Sequence, residues 1–144
     1  MPQGITASRP KYNGTMIAEA IYGILSSDTG VTDLVDMKIY PDIAPQTVTV
    51  PYVVFTQIAA DPSDTKDGAS TVDIVALQVD IYSGVFGTTQ DIARAVRAAL
   101  DRWSGTSNGQ KIQSIRFVSQ TSEPYDPEFD IFWLSQDYSV RFEP

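Results

Sequence analysis

Two groups of carboxylates are the residues whose types and spacing could do chemistry in this chain. Asp61, Asp64 and Asp67 follow one another in a single polar stretch, and several carboxylates on one loop suit a hard cation such as Ca²⁺. An EF-hand needs oxygen ligands at every second position and a glutamate at its end, and this stretch has neither. We therefore predict that these aspartates form a charged, solvated hairpin tip.

The second group is Asp126, Glu128 and Asp130, which alternate and would share one side of an extended segment. Two such carboxylates can act as acid and base in a hydrolase, because the charge of one raises the pKa of its neighbour. The surrounding residues supply no oxyanion donor, and Pro124 and Pro127 are typical of a structural loop. We predict a structural loop here.

A glycine-containing turn, Ser83–Thr88, leads from a predicted strand into a predicted helix. Helix N-termini bind phosphate groups, but this turn lacks the lysine of a P-loop and the third glycine of a dinucleotide fingerprint. Tight turn geometry alone explains Gly84 and Gly87.

Composition excludes several function classes. The 144 residues contain no Cys and no His, which removes disulfides, thiolate metal sites and the usual general base. We predict no catalytic residue, no metal, no cofactor and no enzymatic activity. Ten basic against eighteen acidic residues give a net charge of −8, which disfavours binding to DNA or to an anionic membrane.

The length suits one domain. The longest apolar run, Ala20–Leu25, is far shorter than the ~20 residues of a membrane span, and the first residues lack the apolar core of a signal peptide. We expect a soluble protein made in the cytoplasm.

These residues must be positioned by two helices and several strands. Residues 1–14 predict an extended or disordered N-terminal arm, and residues 15–144 a single domain. Periodicity predicts helices over residues 15–27 and 88–103, one more helical turn over 31–36, and strands over 38–40, 52–60, 72–83, 111–119 and 131–142. Thr88-x-x-Asp91 resembles a capping box that would open the second helix.

The order α-β-β-β-α-β-β predicts an α+β two-layer sandwich. We expect a mainly antiparallel sheet of four or five strands with both helices on one face. The opposite face would carry polar side chains, namely Gln78, Asp80, Arg116, Asp137 and Ser139.

Trp133 and Ile131 are the apolar exceptions on that opposite face, by strand alternation. An outward Trp suggests an interface anchor, because it buries a large area at small entropic cost. An equally good interpretation is that the N-terminal arm or a neighbouring loop covers Trp133 within the same chain. Tyr125, in the preceding loop, is a further interface candidate.

Segments spread over residues 15–142 together resemble the tail-completion proteins of long-tailed (siphovirus-type) phages, also called tail-terminator or tail-to-head joining proteins. The order and spacing of the segments carry the resemblance, since each alone is a turn or core element. They are Ile39-Tyr40-Pro41, Ala44-Pro45-Gln46, Pro51-Tyr52-Val53-Val54, Asp80-Ile81-Tyr82, Ala93–Leu100, Pro124-Tyr125-Asp126-Pro127 and Asp137-Tyr138-Ser139-Val140.

The resemblance implies a non-enzymatic structural protein of the virion tail or neck, assembled in the host cytoplasm. Such proteins form a ring, in this family a hexamer, at the head-proximal end of the tail tube, where they end tail growth and join the tail to the head connector. The implied partners are further copies of the chain, the tail tube protein and the head-tail connector protein, with no membrane. DNA would pass through without specific binding, and Asp61, Asp64 and Asp67 would face the lumen or a ring neighbour.

Two alternatives remain open. The chain could be another neck or tail-tube structural protein, although a tube protein would polymerise into long tubes by itself. It could instead be a small ligand-binding α+β domain, which would need a buried polar pocket that the sequence does not point to.

Overall fold

Three helices and six strands make up the part of the chain that the computed structural model describes, residues 13–62 and 72–143. The helices are α1 (Asn13–Ser26), α2 (Thr29–Val35) and α3 (Phe86–Leu100). The strands are β1 (Ile39–Pro41), β2 (Tyr52–Pro62), β3 (Asp73–Ser83), β4 (Gly105–Ser107), β5 (Gln110–Ser122) and β6 (Phe132–Glu143). The α+β class is therefore confirmed.

The strands form one mixed sheet in the order β1-β2-β3-β6-β5-β4. At its centre β3 and β6 pair antiparallel without interruption, from Asp73 opposite Phe142 to Ser83 opposite Phe132. Short β1 lies parallel to β2, and every other neighbouring pair is antiparallel. Within the described residues, the sheet has one strand more than the largest number expected from sequence, because Gly105–Ser107 pairs with β5 instead of forming only a turn.

The core lies between the helices and one face of the sheet. Alternate residues of β3 and β6 are buried on that face, which confirms the alternation predicted for these strands. They pack with the apolar stripes of the helices. The largest fully buried side chains are Ile17, Ile21, Leu25, Ile39, Phe55, Leu77, Ile81, Ile92, Leu100, Ile112, Tyr138 and Phe142. We call this the inner face and the opposite one the outer face.

The predicted extra turn after α1 is a separate helix, α2. The Asp28 carboxylate caps it, since Asp28 Oδ1 accepts a hydrogen bond of 3.1 Å from the Val31 amide. Asp28 therefore ends the first helix and begins the second.

The prediction of a Thr88–Asp91 capping box was wrong. Helix α3 begins two residues earlier at Phe86, with Val85 at the N-cap position and no side-chain cap. Ser83 and Thr89 hold the turn instead: the Val85 amide donates to Ser83 Oγ at 3.1 Å, and Thr89 Oγ1 donates to the Val85 carbonyl at 3.0 Å.

Helix α3 also ends earlier than the predicted Trp103, at Leu100. The chain turns there because the next residues bond to β5. The Asp101 carboxylate accepts from the Phe117 amide at 2.9 Å, and the Arg102 amide donates to the Ile115 carbonyl at 2.7 Å. Those bonds replace a further helical turn.

Helix α1 is fixed to the β4–β5 hairpin. Ser107 Oγ donates to the Ala20 carbonyl at 2.8 Å, and Asn108 Nδ2 donates to the Glu19 carbonyl at 2.7 Å. Gly23 makes room for this contact, because a Cβ at that position would lie 2.6 Å from Ser107 Oγ.

Candidate interaction surface

A row of three stacked rings crosses the outer face. Tyr52, Tyr82 and Trp133 are register partners on β2, β3 and β6. The ring centroids of Tyr52 and Tyr82 are 4.8 Å apart, and those of Tyr82 and Trp133 are 5.6 Å apart. We call these residues the aromatic row. Stacking holds Trp133 in place on one side while 38% of the residue stays exposed.

Asp80 lies beside the aromatic row and is only 7% exposed. Its carboxylate accepts hydrogen bonds from Gln78 Nε2 at 3.0 and 3.1 Å, from Trp133 Nε1 at 3.4 Å and from Ser135 Oγ. Asp80 thus lies on the outer face, as predicted. Its carboxylate, however, is buried and accepts hydrogen bonds from side chains of both β3 and β6.

Burial of the Tyr82 phenol raises its pKa to about 12, and the nearby Asp80 carboxylate and Tyr52 contribute to the same shift. Tyr52 and Tyr82 also line a hollow of about 400 Å³ with the loop Asp42–Val48. The hollow is shallow and open, with Asp80 as its only buried carboxylate.

A second aromatic cluster lies at the end of the sheet where β6 begins. The Tyr125 and Phe132 ring centroids are 4.6 Å apart, and those of Phe132 and Phe86 are 5.8 Å apart. Four large side chains here are exposed, and we call them the end patch: Val85, Phe86, Tyr125 and Phe129. Phe129 is 65% exposed, and Ile131 is half-buried beside them.

The carboxylates of Asp126, Glu128 and Asp130 lie near the end patch. They were predicted to share one side of an extended segment, but this segment is a turn. The chain reverses between Asp126 and Ile131, whose backbone groups bond to each other. Asp126 Oδ1 accepts from the amides of Glu128 at 3.0 Å and Phe129 at 3.4 Å. Asp130 accepts from the Tyr125 hydroxyl, and this bond is the main cause of a raised Tyr125 pKa. The carboxylates of Asp126 and Asp130 thus hold the shape of the turn.

The other acidic group is Asp61, Asp64 and Asp67. Asp61 lies in β2 and is exposed, because this strand continues to Pro62, two residues further than predicted, and leaves this side chain at the surface. Asp64 and Asp67 lie outside the described residues. In the part of the chain with described coordinates, no group of three acidic side chains could hold a metal ion, and no helix is long and apolar enough to span a membrane.

Sequence reasoning predicted Trp133, Tyr125 and Ile131 as interface candidates but did not predict the aromatic row or the burial of Asp80. Both depend on the register of β3 against β6, two strands far apart in the sequence, and the aromatic row depends also on the register of β2 against β3. The aromatic residues at equivalent ends of three predicted strands were the available signal.

A protein-family model described as "Tail completion protein gp17" matches residues 19–143. The chain belongs to this family. The match spans all of the sheet and most of the helical layer. The chain is accordingly a tail completion protein, and its place is the tail or neck of a phage-type virion.

The fold has a solved counterpart. A chain from the structure titled "Virion of native gene transfer agent (GTA) particle" superposes with a TM-score of 0.76. The two share 18% sequence identity, and the alignment covers 92% of this chain and 99% of that chain. At this identity the likeness establishes the fold. No curated protein sequence matches the chain significantly.

Proposed function

We propose that this tail completion protein forms a ring at the head-proximal end of the tail tube, where it ends tube growth and joins the tail to the head connector. The family match over residues 19–143 carries the proposal. The likeness to a chain of a gene transfer agent virion is consistent with it.

The end patch supports a docking role. Exposed apolar side chains that lie together, with aromatic rings among them, are typical of protein interfaces. We assign the end patch, with Ile131 and Trp133 at its border, to the contact with the tube or the connector. Trp133 stacks on Tyr82 and keeps 38% of its surface exposed, so a partner can still bury it.

We further propose that the protein acts without catalysis. Asp126 and Asp130 belong to the alternating carboxylates that could have acted as acid and base. Both carboxylates accept hydrogen bonds from groups of their own turn. The net charge of −8 favours passage of DNA without binding. In the assembled ring Asp61, Asp64 and Asp67 face the lumen or a neighbouring copy.

The experiment is complementation in an extract. An extract from an infection that lacks this gene receives the purified protein, and infectious particles are counted before and after the addition. We expect infectivity to rise with added protein and to stay low with the buffer alone. Long tubes formed by the purified protein alone would identify it instead as a tube protein, and no rise in infectivity would contradict the joining role.

A further inference from the structure

The end patch is bordered by carboxylates. Its residues come from two segments, the turn at 83–88 and the loop at 123–131, and neither segment contains a basic residue. The loop contains four acidic side chains, which we call the acidic rim: Glu123, Asp126, Glu128 and Asp130. Three of them are exposed and Glu123 is half-buried. The most exposed apolar side chains at this end of the sheet thus lie among negative charges.

The charge of the acidic rim is not balanced within the described part of the chain. The ion pairs among the described residues lie on or just after helix α3 and between β5 and β6, and none of them includes a rim carboxylate. Asp126 and Asp130 accept hydrogen bonds from backbone amides and a phenol hydroxyl, which are uncharged. The rim therefore presents uncompensated negative charge to a partner.

The loop that carries the acidic rim has a fixed shape. Asp126 and Ile131 exchange two backbone hydrogen bonds, of 3.0 and 3.2 Å, and the Tyr125 hydroxyl donates to Asp130. A loop that is already ordered loses little conformational entropy when a partner binds it. Phe129, 65% exposed in this loop, is therefore well placed to act as an anchor.

The rim charges act directly on the aromatic part of the end patch. The pKa of Tyr125 is raised above its ordinary value, first by the hydrogen bond to Asp130 and further by the charges of Asp130 and Asp126. These carboxylates therefore lie close to the Tyr125 ring. A partner that covers the ring must also come close to the carboxylates.

The chemistry of the end patch defines the chemistry of its partner. A purely apolar surface would remove water from the rim carboxylates and offer them nothing in return, which is costly. Lysine or arginine side chains around an apolar pocket would pair with the rim while the exposed rings fill the pocket. The patch therefore suits an apolar surface with a basic border.

A second copy of this chain does not fit that description. Each copy has a net charge of −8, so a copy that approaches the acidic rim is repelled. A nucleic acid or an anionic lipid surface is repelled for the same reason. A different protein with exposed basic groups is the occupant that the charges favour, and contacts between copies in a ring would use other surfaces.

We propose that the end patch binds an apolar pocket, flanked by lysine or arginine side chains, on another protein of the virion. Phe129 and Phe86 fill the apolar part, and the acidic rim pairs with the basic border. The apolar contacts govern how long the complex lasts, and the rim governs how fast it forms. That the partner belongs to the virion rests on the proposed function, whereas its chemistry rests on the patch itself.

Heads and tails purified from an infection that lacks this gene are the probes. Each is mixed with the tagged protein at salt concentrations from about 0.05 to about 0.5 M and sedimented, and the bound protein is measured over time. We expect the wild type to bind one of the two particles, more slowly as the salt concentration rises, because salt screens the rim. Binding to neither particle, or binding at a rate that salt does not change, overturns the proposal.

Charge reversal tests the rim itself. Glu123→Lys with Glu128→Lys reverses half of the rim and keeps the two aspartates that hold the loop. This chain should bind about tenfold more slowly than wild type at low salt. Glu19→Lys with Asp33→Lys is the matched control, because it changes the net charge equally at exposed positions of α1 and α2, and it should bind like wild type. Equal rates for the two double variants, with melting temperatures intact, overturn the role of the rim.

Phe129→Ser distinguishes the occupants. It should shorten the lifetime of the complex with heads or tails at every salt concentration, and leave self-association in sedimentation velocity unchanged. Loss of self-association in this variant would make a second copy the occupant and would overturn the proposal.

The partner chemistry and the joining role fail in different ways. If the wild type completes particles in the extract and the chain with Glu123→Lys and Glu128→Lys completes them equally fast, the partner chemistry fails and the joining role stands. If the wild type completes no particles but binds heads or tails at a rate that charge reversal lowers, the joining role fails and the contact stands.

Discussion

Trp133 Nε1 donates a hydrogen bond to the carboxylate of Asp80 across the β3–β6 pair, with 3.4 Å between the two atoms. The same Trp ring stacks on Tyr82. Trp133 thus has a fixed orientation while its outer surface stays exposed. Such an orientation lowers the entropy lost when a partner buries the ring.

Asp80 should be important for stability because three side chains donate to it in a buried position. We expect Asp80→Ala to lower the free energy of unfolding by about 2–3 kcal/mol, the loss typical of buried donors left without an acceptor. Asp137→Ala is the matched control, since the Asp137 carboxylate accepts a hydrogen bond from the Ser119 hydroxyl and is less buried than that of Asp80. Its loss should be about 1 kcal/mol or less. Equal losses in urea denaturation would contradict this role for Asp80.

Tyr82 should make the protein sensitive to strong alkali. Its pKa is raised to about 12 in the folded state, above the ordinary value of about 10 in an unfolded chain. The folded state therefore holds its proton more tightly, and this stabilisation is complete below pH 10 and lost as the pH rises towards 12. Tyr82→Phe should show a smaller decrease in the free energy of unfolding between pH 9 and pH 11. An unchanged pH dependence in Tyr82→Phe would contradict the assignment.

Gly23 should resist substitution although it lies within a helix. We expect Gly23→Ala to destabilise the fold by about 1–2 kcal/mol, because the new Cβ displaces Ser107 and its hydrogen bond to Ala20. Gly87→Ala is the control, since a Cβ there meets nothing within 4 Å, and it should be neutral or stabilising by up to about 1 kcal/mol. Thermal melts of both variants check the prediction, and a stabilised Gly23→Ala protein would contradict it.

Phe129 should matter for assembly and not for folding. It is 65% exposed in the end patch, so Phe129→Ser should change the free energy of unfolding by less than about 0.5 kcal/mol. We expect the same variant to reduce complementation of the gene-deficient extract. Trp133→Ala should also reduce complementation, with an added loss of stability from its contacts with Tyr82 and Asp80. Full activity of both variants would remove the end patch from the docking surface.

The sequence predicted the central strands and the helical stripes well because each has a strong local period. Val75, Leu77, Val79 and Ile81 alternate with polar residues, and this pattern alone identifies β3 and its buried face. The prediction of four or five strands missed the short strand β4, whose existence depends on contacts with distant residues, and it gave α2 only as one further turn. Ser107 and Asn108, for example, are held by α1, nearly ninety residues away in sequence.

Local patterns also misplaced the start of α3. Thr88-x-x-Asp91 has a capping sequence, but Ser83 and Thr89 stabilise an earlier turn through bonds to Val85.

The most direct test of the tail-completion role is electron microscopy of lysates from a phage that lacks this gene, with complementation as the control. The account predicts full heads separate from tails, with tails of abnormal length, and normal particles when the gene is supplied in trans. Normal infectious particles without the gene would contradict the role of the protein in joining tail to head.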